Sequence, residues 1–322
     1  MGDKKTTEVK YLVNLTNTLA EMGLDLMRFS VLDDEDVKAL SKIKKQVSVP
    51  IIADIHFDYN LALKALDAGV DKIRINPGNM EETGLRKVIQ KAKEENIPIR
   101  IGVNSGSLNK YKGKTSSPVS DFLLAMDETL NIFEEENYQK LVLSLKTSDP
   151  DILEDLYRQA YDKYPYPLHV GLTESGFGIS GAIKTTSAIF NLLKDGIGDT
   201  LRISLADDRR EEVRACKTVL SLAKRRDDIP TLIVCPTCGR TTYDLKDLAR
   251  AVQSHLDFVF KDVKVAVMGC PVNGMGEAKD ADYGIAGTGV ADKILLFKKG
   301  KPIGTYNEKE ALSRLFELID KF

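Results

Sequence analysis

Tryptophan is absent from this chain of 322 residues, and cysteine and histidine are scarce, with four and three copies. Four cysteines are too few for the disulfide framework of a small secreted domain. No apolar run approaches the 18 or so residues of a membrane-spanning helix, and the first residues do not resemble a secretory signal. We therefore expect a soluble, cytoplasmic protein with no membrane partner.

An excess of either charge is also lacking, since 46 basic residues face 48 acidic ones and give a formal net charge of −2. This balance disfavours nucleic acid as a partner, because nucleic-acid-binding domains normally carry a basic excess. A local basic pocket is still compatible with it. The length and the hydrophobic content of 43% fit one large domain followed by a smaller one.

Three of the four cysteines lie in two short segments rich in glycine and proline. Cys235 and Cys238 form a CxxC pair, and Cys270 follows 32 residues later. Thiolates at such spacing bind zinc or an iron–sulfur cluster. A structural zinc site normally has four Cys or His ligands, and the fourth is missing here. We therefore favour an iron–sulfur cluster, with Glu277 as the best-placed fourth ligand.

Short β-rich runs alternate with helical stretches over the first two thirds of the chain, which predicts a parallel sheet with helices outside it. Polar or charged residues recur at the C-terminal end of every run. A TIM-type (β/α)8 barrel gathers all its strand ends around one mouth, so this recurrence favours a barrel over a doubly wound sheet. The predicted strands are residues 24–31, 49–56, 72–77, 98–104, 140–147, 168–173 and 200–205.

Only seven strands are visible, whereas a barrel of this type has eight. The chain opens on a predicted helix, residues 8–22, so the strand we expect to be missing is the first. We expect a gap or a substitute element between the runs 24–31 and 200–205.

The predicted barrel domain spans residues 1–228, and a small α+β domain spans residues 229–322. In the second domain we predict strands that lead into the two cysteine segments, followed by a hairpin and a closing helix. The predicted elements are residues 231–234, 243–256, 264–268, 293–298, 303–306 and 309–322.

Cationic side chains cluster at the predicted strand ends of the barrel. Five cations around one mouth would repel one another without an anion, and guanidinium groups bind phosphate oxygens in a bidentate manner. A diphosphate ligand is therefore favoured over a ring of structural ion pairs. The predicted binding residues are Arg28, Arg74, Asn76, Arg100, Asn104, Lys146, Arg202 and Ser204.

Glu174 is the predicted catalytic residue, because it follows a strand among these cations. Its role would be proton transfer or binding of a hydroxyl, and charge balance for the arginines is the alternative. The pattern leaves open whether Asp54 and His56 contact substrate or only shape the mouth. His169, at the start of its strand, is interpreted as structural.

The two cysteine segments, VCPTCGR and MGCPVNGMGEAKDADYGIAG, closely resemble the signature of the hydroxymethylbutenyl diphosphate synthase family, also called IspG or GcpE. The resemblance covers nearly the whole chain and includes ADIHFDY, KIRINPGN, RIGVNSGSL, LSLKTSD, HVGLTESG and GIGDTLRISL. It fails at the beginning, where the family has a strand ending near a Gln-Ser-Met-Thr-Asn-Thr motif.

This resemblance implies a 4Fe-4S cluster on Cys235, Cys238, Cys270 and Glu277, in a domain similar to the cluster domain of sulfite reductases. It implies reductive dehydroxylation and ring opening of 2-C-methyl-D-erythritol 2,4-cyclodiphosphate to 4-hydroxy-3-methylbut-2-enyl diphosphate, a step of the non-mevalonate isoprenoid pathway. The electrons would come from flavodoxin or ferredoxin. The family also implies a homodimer in which the barrel of one subunit faces the cluster domain of the other.

Two other functions stay open at this point. A zinc-stapled TIM-barrel lyase could use Lys146 to form a Schiff base with a carbonyl substrate. A truncated or degenerate relative of the family could retain the site residues without catalysis.

Overall fold

The computed structural model describes residues 1–104, 108, 111–271, 276 and 278–322. They form two compact units, Met1–Arg225 and Arg226–Phe322, each with its own hydrophobic core. None of the helices in these ranges combines the length and apolar character needed to cross a bilayer.

Strands and helices alternate throughout the first unit, as the sequence predicts. The strands are β1 Met27–Ser30, β2 Ile51–Ile55, β3 Lys72–Ile75, β4 Ile99–Asn104, β5 Leu141–Lys146, β6 His169–Val170 and β7 Thr200–Leu201. The helices are α1 Val9–Glu21, α2 Asp34–Lys44, α3 Tyr59–Asp67, α4 Glu82–Glu94, α5 Pro118–Glu135, α6 Pro150–Lys163, α7 Gly178–Lys194 and α8 Arg209–Leu222.

Side-chain caps fix where many of these helices begin. A capping oxygen accepts a hydrogen bond from a backbone N–H of the first turn that would otherwise lack a partner. Each cap lies where the loop that follows a strand enters the next helix. They are Asp33, Asp58, Ser117, Asp149 and Asp208.

The strands β1 to β5 form one parallel sheet in chain order, and β6 pairs with β7 in parallel. A single bridge, Leu143 to Leu168, links these two sheets in the described residues. The last two strands are shorter than predicted, because beyond Val170 the backbone pairs irregularly. Thr173 N, for example, donates to Thr147 O at 3.1 Å.

An irregular segment at the start of the chain lies against β1, where the sequence leads us to expect a substitute for the missing strand. Gly2 N donates to Arg28 O at 2.9 Å, and the Thr6 hydroxyl donates to Ser30 O at 2.6 Å. Met1 Sδ lies 3.8 Å from Nη1 of Arg202, just after β7. The segment therefore occupies the edge between these two strands without forming a regular ladder.

In its described residues, the second unit has a five-stranded mixed sheet and two helices whose bounds the structure gives. Its strands are β8 Thr231–Val234, β9 Lys264–Met268, β10 Tyr283–Gly287, β11 Ile294–Lys298 and β12 Lys301–Tyr306, and its helices are α9 Leu245–Leu256 and α10 Glu308–Asp320. The sheet order is β12-β11-β10-β9-β8, with β8, β9 and β10 parallel. The predicted hairpin is present, and its turn residues Lys299 and Gly300 both have positive φ, 46° and 70°.

The central strand β10 is absent from the sequence prediction. Its two glycines are typical of turns, but here they are required by packing. A Cβ at Gly284 would lie 2.3 Å from the Phe297 ring, and one at Gly287 would lie 2.4 Å from Gly269 O.

The Tyr157 hydroxyl joins β5 to β6, near the single bridge that links the two sheets in the described residues. It accepts a hydrogen bond from Leu145 N at 3.0 Å and donates one to His169 O at 2.5 Å. The side chain is fully buried.

We predict that Tyr157→Phe lowers the free energy of unfolding by about 1–3 kcal/mol, because two buried backbone groups lose their partner. Urea denaturation measures this change. The control is Tyr161→Phe one turn further along α6, where the ring is 55% exposed and we expect a change within about 0.5 kcal/mol. Equal stabilities of the two variants would show that the hydroxyl bridge is dispensable.

Candidate functional site

Strands β2, β3 and β4 of the first unit hold a dense cluster of buried charge. Arg100 is the second residue of β4, whereas the sequence predicts it at the carboxyl end of that strand. The register pairs Asp54 of β2 with Arg74 of β3, and Arg74 with Arg100 of β4. Residues paired across strands lie about 5 Å apart on the same face of the sheet. The exposed fractions of the three residues are only 3%, 8% and 4%, so the charges face one another rather than solvent.

Asp54 is the centre of this cluster. Arg74 Nη1 donates to Asp54 Oδ1 at 3.1 Å, and Arg28 Nε lies 3.4 Å from Oδ2. The His56 ring contacts the same pair, with Nε2 2.9 Å from Arg74 Nη1 and 3.5 Å from Asp54 Oδ1. Burial raises the pKa of Asp54, but the hydrogen bond from His56 and the charges of Arg28 and Arg74 outweigh it and hold the pKa well below its usual value.

A second carboxylate, Glu212 in the first turn of α8, pairs with Arg202 and Arg209. It accepts from Arg202 Nη2 at 3.0 Å and from Leu205 N at 3.0 Å, and it forms an ion pair with Arg209. Its pKa is lowered, because the charge and hydrogen bond of Arg202 outweigh the effect of burial. The sequence prediction missed both Glu212 and Arg209, since a run of mixed charge at a helix start is typical of an exposed surface.

Arg100 and Lys146 differ from their neighbours in lacking a carboxylate partner within the described part of the chain. Arg100 Nε is buried without a hydrogen bond. Burial, with repulsion from Arg28 and Arg74, lowers the pKa of Arg100 to about 9. Burial and the surrounding arginines lower the pKa of Lys146 well below its ordinary value. A bound anion would raise both pKa values, because it stabilises the charged forms.

The other predicted residues lie at strand ends, with one exception. Asn76 is buried after β3, Asn104 ends β4 opposite Lys146, and Ser204 is half-buried after β7. Glu174 is exposed in the loop between β6 and α7, and it makes no ion pair among the described residues. Its φ of 55° is a left-handed conformation that costs a residue other than glycine about 1–3 kcal/mol. Its catalytic role stays a prediction.

His169 begins β6, and its contacts fit its structural interpretation. Its Nδ1 is 2.8 Å from Thr200 Oγ1, which ties β6 to β7. Burial and the nearby charges of Arg100 and Lys146 hold its pKa well below the ordinary value. Burial and these charges therefore favour the neutral imidazole.

The cysteines of the second unit follow two adjacent parallel strands. Cys235 comes directly after β8, and Cys270 lies two residues after β9, so both lie at one edge of the sheet. Both are buried, and Gly269 N donates to Cys235 Sγ at 3.1 Å. Such N–H donors stabilise thiolates that bind iron.

The exposed Cys238 has a lowered pKa, caused first by the Arg240 backbone N–H and then by the Arg240 side chain. Glu277 lies outside the described residues, and no group of three potential ligands within the described ones is close enough to hold a metal. Cys216 is half-buried on α8, where burial raises its pKa to about 12. The assignment of Cys235, Cys238 and Cys270 as thiolate ligands stays a prediction.

Two family models match the chain. One describes a GcpE TIM-barrel domain and matches residues 1–217, and the other describes a GcpE protein C-terminal domain and matches residues 231–321. The chain belongs to the GcpE family. The match confirms the resemblance noted in the cysteine segments and the predicted fold class, a TIM-type barrel followed by a smaller domain.

Relatives extend this match over the whole chain. A protein of Fusobacterium nucleatum is 42% identical, covering 100% of this chain and 91% of its own length, and one of Caldanaerobacter subterraneus is 43% identical with the same coverage. Both are named 4-hydroxy-3-methylbut-2-en-1-yl diphosphate synthase (flavodoxin).

Among solved structures, dihydropteroate synthases share the fold alone. The Stenotrophomonas maltophilia enzyme has a TM-score of 0.52 at 14% identity, covering 67% of this chain and 87% of that one. The Yersinia pestis enzyme has a TM-score of 0.51 at 13% identity, with 67% and 90% covered.

A glycine makes room for one guanidinium group of the GcpE barrel mouth. A Cβ at Gly102 on β4 would lie 2.9 Å from Arg74 Nη2 and 3.1 Å from Nε. We predict that Gly102→Val displaces the guanidinium and weakens binding of inorganic pyrophosphate about tenfold, or about 1.4 kcal/mol. Isothermal titration calorimetry measures the affinity.

The control for Gly102→Val is Val103→Ala, which alters the opposite face of the same strand. It should lower thermal stability and leave the affinity unchanged. Unchanged affinity in Gly102→Val would mean that the position of Arg74 does not matter for anion binding.

Proposed function

We propose that this GcpE-family chain is a 4-hydroxy-3-methylbut-2-enyl diphosphate synthase. It would reduce 2-C-methyl-D-erythritol 2,4-cyclodiphosphate, with flavodoxin as the electron donor named for its relatives and ferredoxin as the alternative. In the overall reaction the substrate takes up two electrons and protons. The ring opens at a carbon–oxygen bond to phosphate, and one hydroxyl leaves as water.

The uncompensated positive charge of the barrel mouth supports this substrate class. Within the described residues, six cationic side chains are accompanied by two carboxylates, Asp54 and Glu212. The six are Arg28, Arg74, Arg100, Lys146, Arg202 and Arg209. Charge excess of this kind in a buried site is unfavourable unless a ligand completes it. A cyclic diphosphate supplies several negative charges and many acceptor oxygens, so it meets this requirement.

The proposal gives each predicted residue a part in binding. Arg100 and Lys146 would carry the main contacts with phosphate oxygens, because no protein carboxylate competes for them. Further contacts and neutral hydrogen bonds would come from Arg28, Arg74, Arg202, Asn76, Asn104 and Ser204. Glu174 would hold the departing hydroxyl or transfer a proton to it. Residues 1–228 would thus form the substrate domain.

Residues 229–322 would form the cluster domain. A 4Fe-4S cluster held by Cys235, Cys238, Cys270 and Glu277 would supply electrons one at a time. The Gly269 N–H would stabilise the Cys235 thiolate, and the buried positions of Cys235 and Cys270 would limit access of water. The reducing conditions of the cytoplasm would keep these cysteines from forming disulfides.

A homodimer, with the barrel of one subunit facing the cluster domain of the other, is part of the proposal. Large apolar side chains on the loops after β1, β2 and β6 and in the first turn of α7 support it. Leu32 and Phe57 are each 72% exposed, Phe177 is 69% exposed and Ile179 is 79% exposed. Apolar surface at the mouth of a site commonly marks an interface.

The zinc-stapled lyase is not supported. The low pKa of Lys146 would suit a Schiff base. The family models match both units, however, and the relatives described above are named as synthases of a diphosphate.

We predict that serine in place of Cys235, Cys238 or Cys270 abolishes the visible absorbance and the iron and sulfide content of anaerobically purified protein. Thiolate sulfur is lost in each case. Cys216→Ser is the control and should retain both. Zinc without sulfide in the unmodified protein would contradict the cluster, and equal loss in all four variants would contradict the ligand assignment.

We predict that Arg100→Leu weakens substrate binding by about 2–5 kcal/mol, because a buried charge pair loses one partner. The absorbance of the cluster should not change. Arg158→Leu is the control, since Arg158 is a 38% exposed arginine on α6 that pairs with Glu154, and it should bind substrate normally. Unchanged affinity in Arg100→Leu would place the diphosphate elsewhere.

A further inference from the structure

We infer that Asp54 is a positioning residue for the diphosphate, whose carboxylate fixes the directions of Arg28 and Arg74 before the substrate binds. This inference rests on the proposed function. Asp54 is 3% exposed and contacts both Arg74 and Arg28. Its carboxylate would repel a diphosphate, so it acts through the two arginines and not by touching the ligand.

The two oxygens of Asp54 serve different arginines. Oδ1 accepts from Arg74 Nη1 at 3.1 Å, while Oδ2 lies 3.4 Å from Arg28 Nε. One rigid carboxylate thus sets the spacing between two guanidinium groups that arise from strands β1 and β3. Arg binds phosphate through a planar fork, so its orientation decides how many oxygens it can reach.

Arg74 is confined from several directions. Asp54 is its direct partner in the ladder, His56 contacts the same Nη1, and Gly102 leaves space under Nη2 and Nε. Arg100 is its other ladder neighbour and repels it. Without Asp54, this repulsion would turn Arg74 away from the mouth. The low pKa of Asp54 keeps the carboxylate charged throughout the neutral range.

The test compares the affinities of the full-length protein for inorganic pyrophosphate and for sulfate, measured by isothermal titration calorimetry. Asp54→Asn keeps the shape and removes the charge. Asp54→Glu keeps the charge and moves it by one methylene. We expect both variants to lose at least tenfold in pyrophosphate affinity with little change for sulfate, so that the ratio of the two affinities falls.

Asp71→Asn is the matched control. Asp71 also pairs with a cation, with Lys44 Nζ 2.5 Å from Oδ2, but it precedes β3 and lies at the opposite end of that strand. We expect it to reduce thermal stability without changing the ratio. If Asp54 contributed to stability alone, its variants would behave like Asp71→Asn, with lower thermal stability and an unchanged affinity ratio.

A normal ratio, or tighter pyrophosphate binding, in Asp54→Asn or Asp54→Glu would overturn the inference and leave the proposed function standing. Wild-type protein without preference for pyrophosphate would overturn the anion site and the inference with it. If neither Asp54 variant folds, Arg74→Lys keeps the charge and loses the forked geometry. Its ratio should fall likewise, and a normal ratio there would overturn the inference.

Discussion

Repulsion among buried and half-buried cations is the constraint on which the barrel mouth depends. The ladder places Arg74 opposite Arg100, and the charges of Arg100 and Arg28 also act on Lys146. Like charges opposite one another destabilise a sheet. The chain offsets part of this cost with Asp54 and Glu212, and it leaves Arg100 and Lys146 without a carboxylate among the described residues. The proposed anion would offset the positive charge that these two carboxylates leave uncompensated.

The strands tolerate this charge because one face of each strand is apolar and buried, while the other face carries the charged side chains. On β2, Ile51, Ala53 and Ile55 are fully buried at alternate positions, while Asp54 faces the charged cluster. On β4, Ile99, Ile101 and Val103 are likewise buried at alternate positions, while Arg100 faces the charged cluster. Packing of the apolar face supplies the stability that the charged face lacks.

Much of this arrangement could be predicted from sequence because it is local. Strand ends, helix starts and the cysteine segments are read from neighbouring residues, so the elements carrying Arg28, Arg74, Arg100 and Lys146 were predicted near their observed positions. Pairing between distant residues was harder. The role of Asp54 depends on strand register, and that of Glu212 on which side of α8 faces the barrel. β10 was missed because only contact with Phe297 and Gly269 explains its glycines.

The excess positive charge also bears on the chemistry that we propose. Reduction adds electrons to a substrate that is already an anion, so negative charge rises as the reaction proceeds. Fixed cations in a site that excludes water stabilise such a transition state more than they would in solution. Burial and neighbouring cations disfavour the charged forms of Arg100 and Lys146, so these two side chains would interact favourably with that added charge. The same imbalance that strains the free protein can therefore favour both binding of the diphosphate and its reduction.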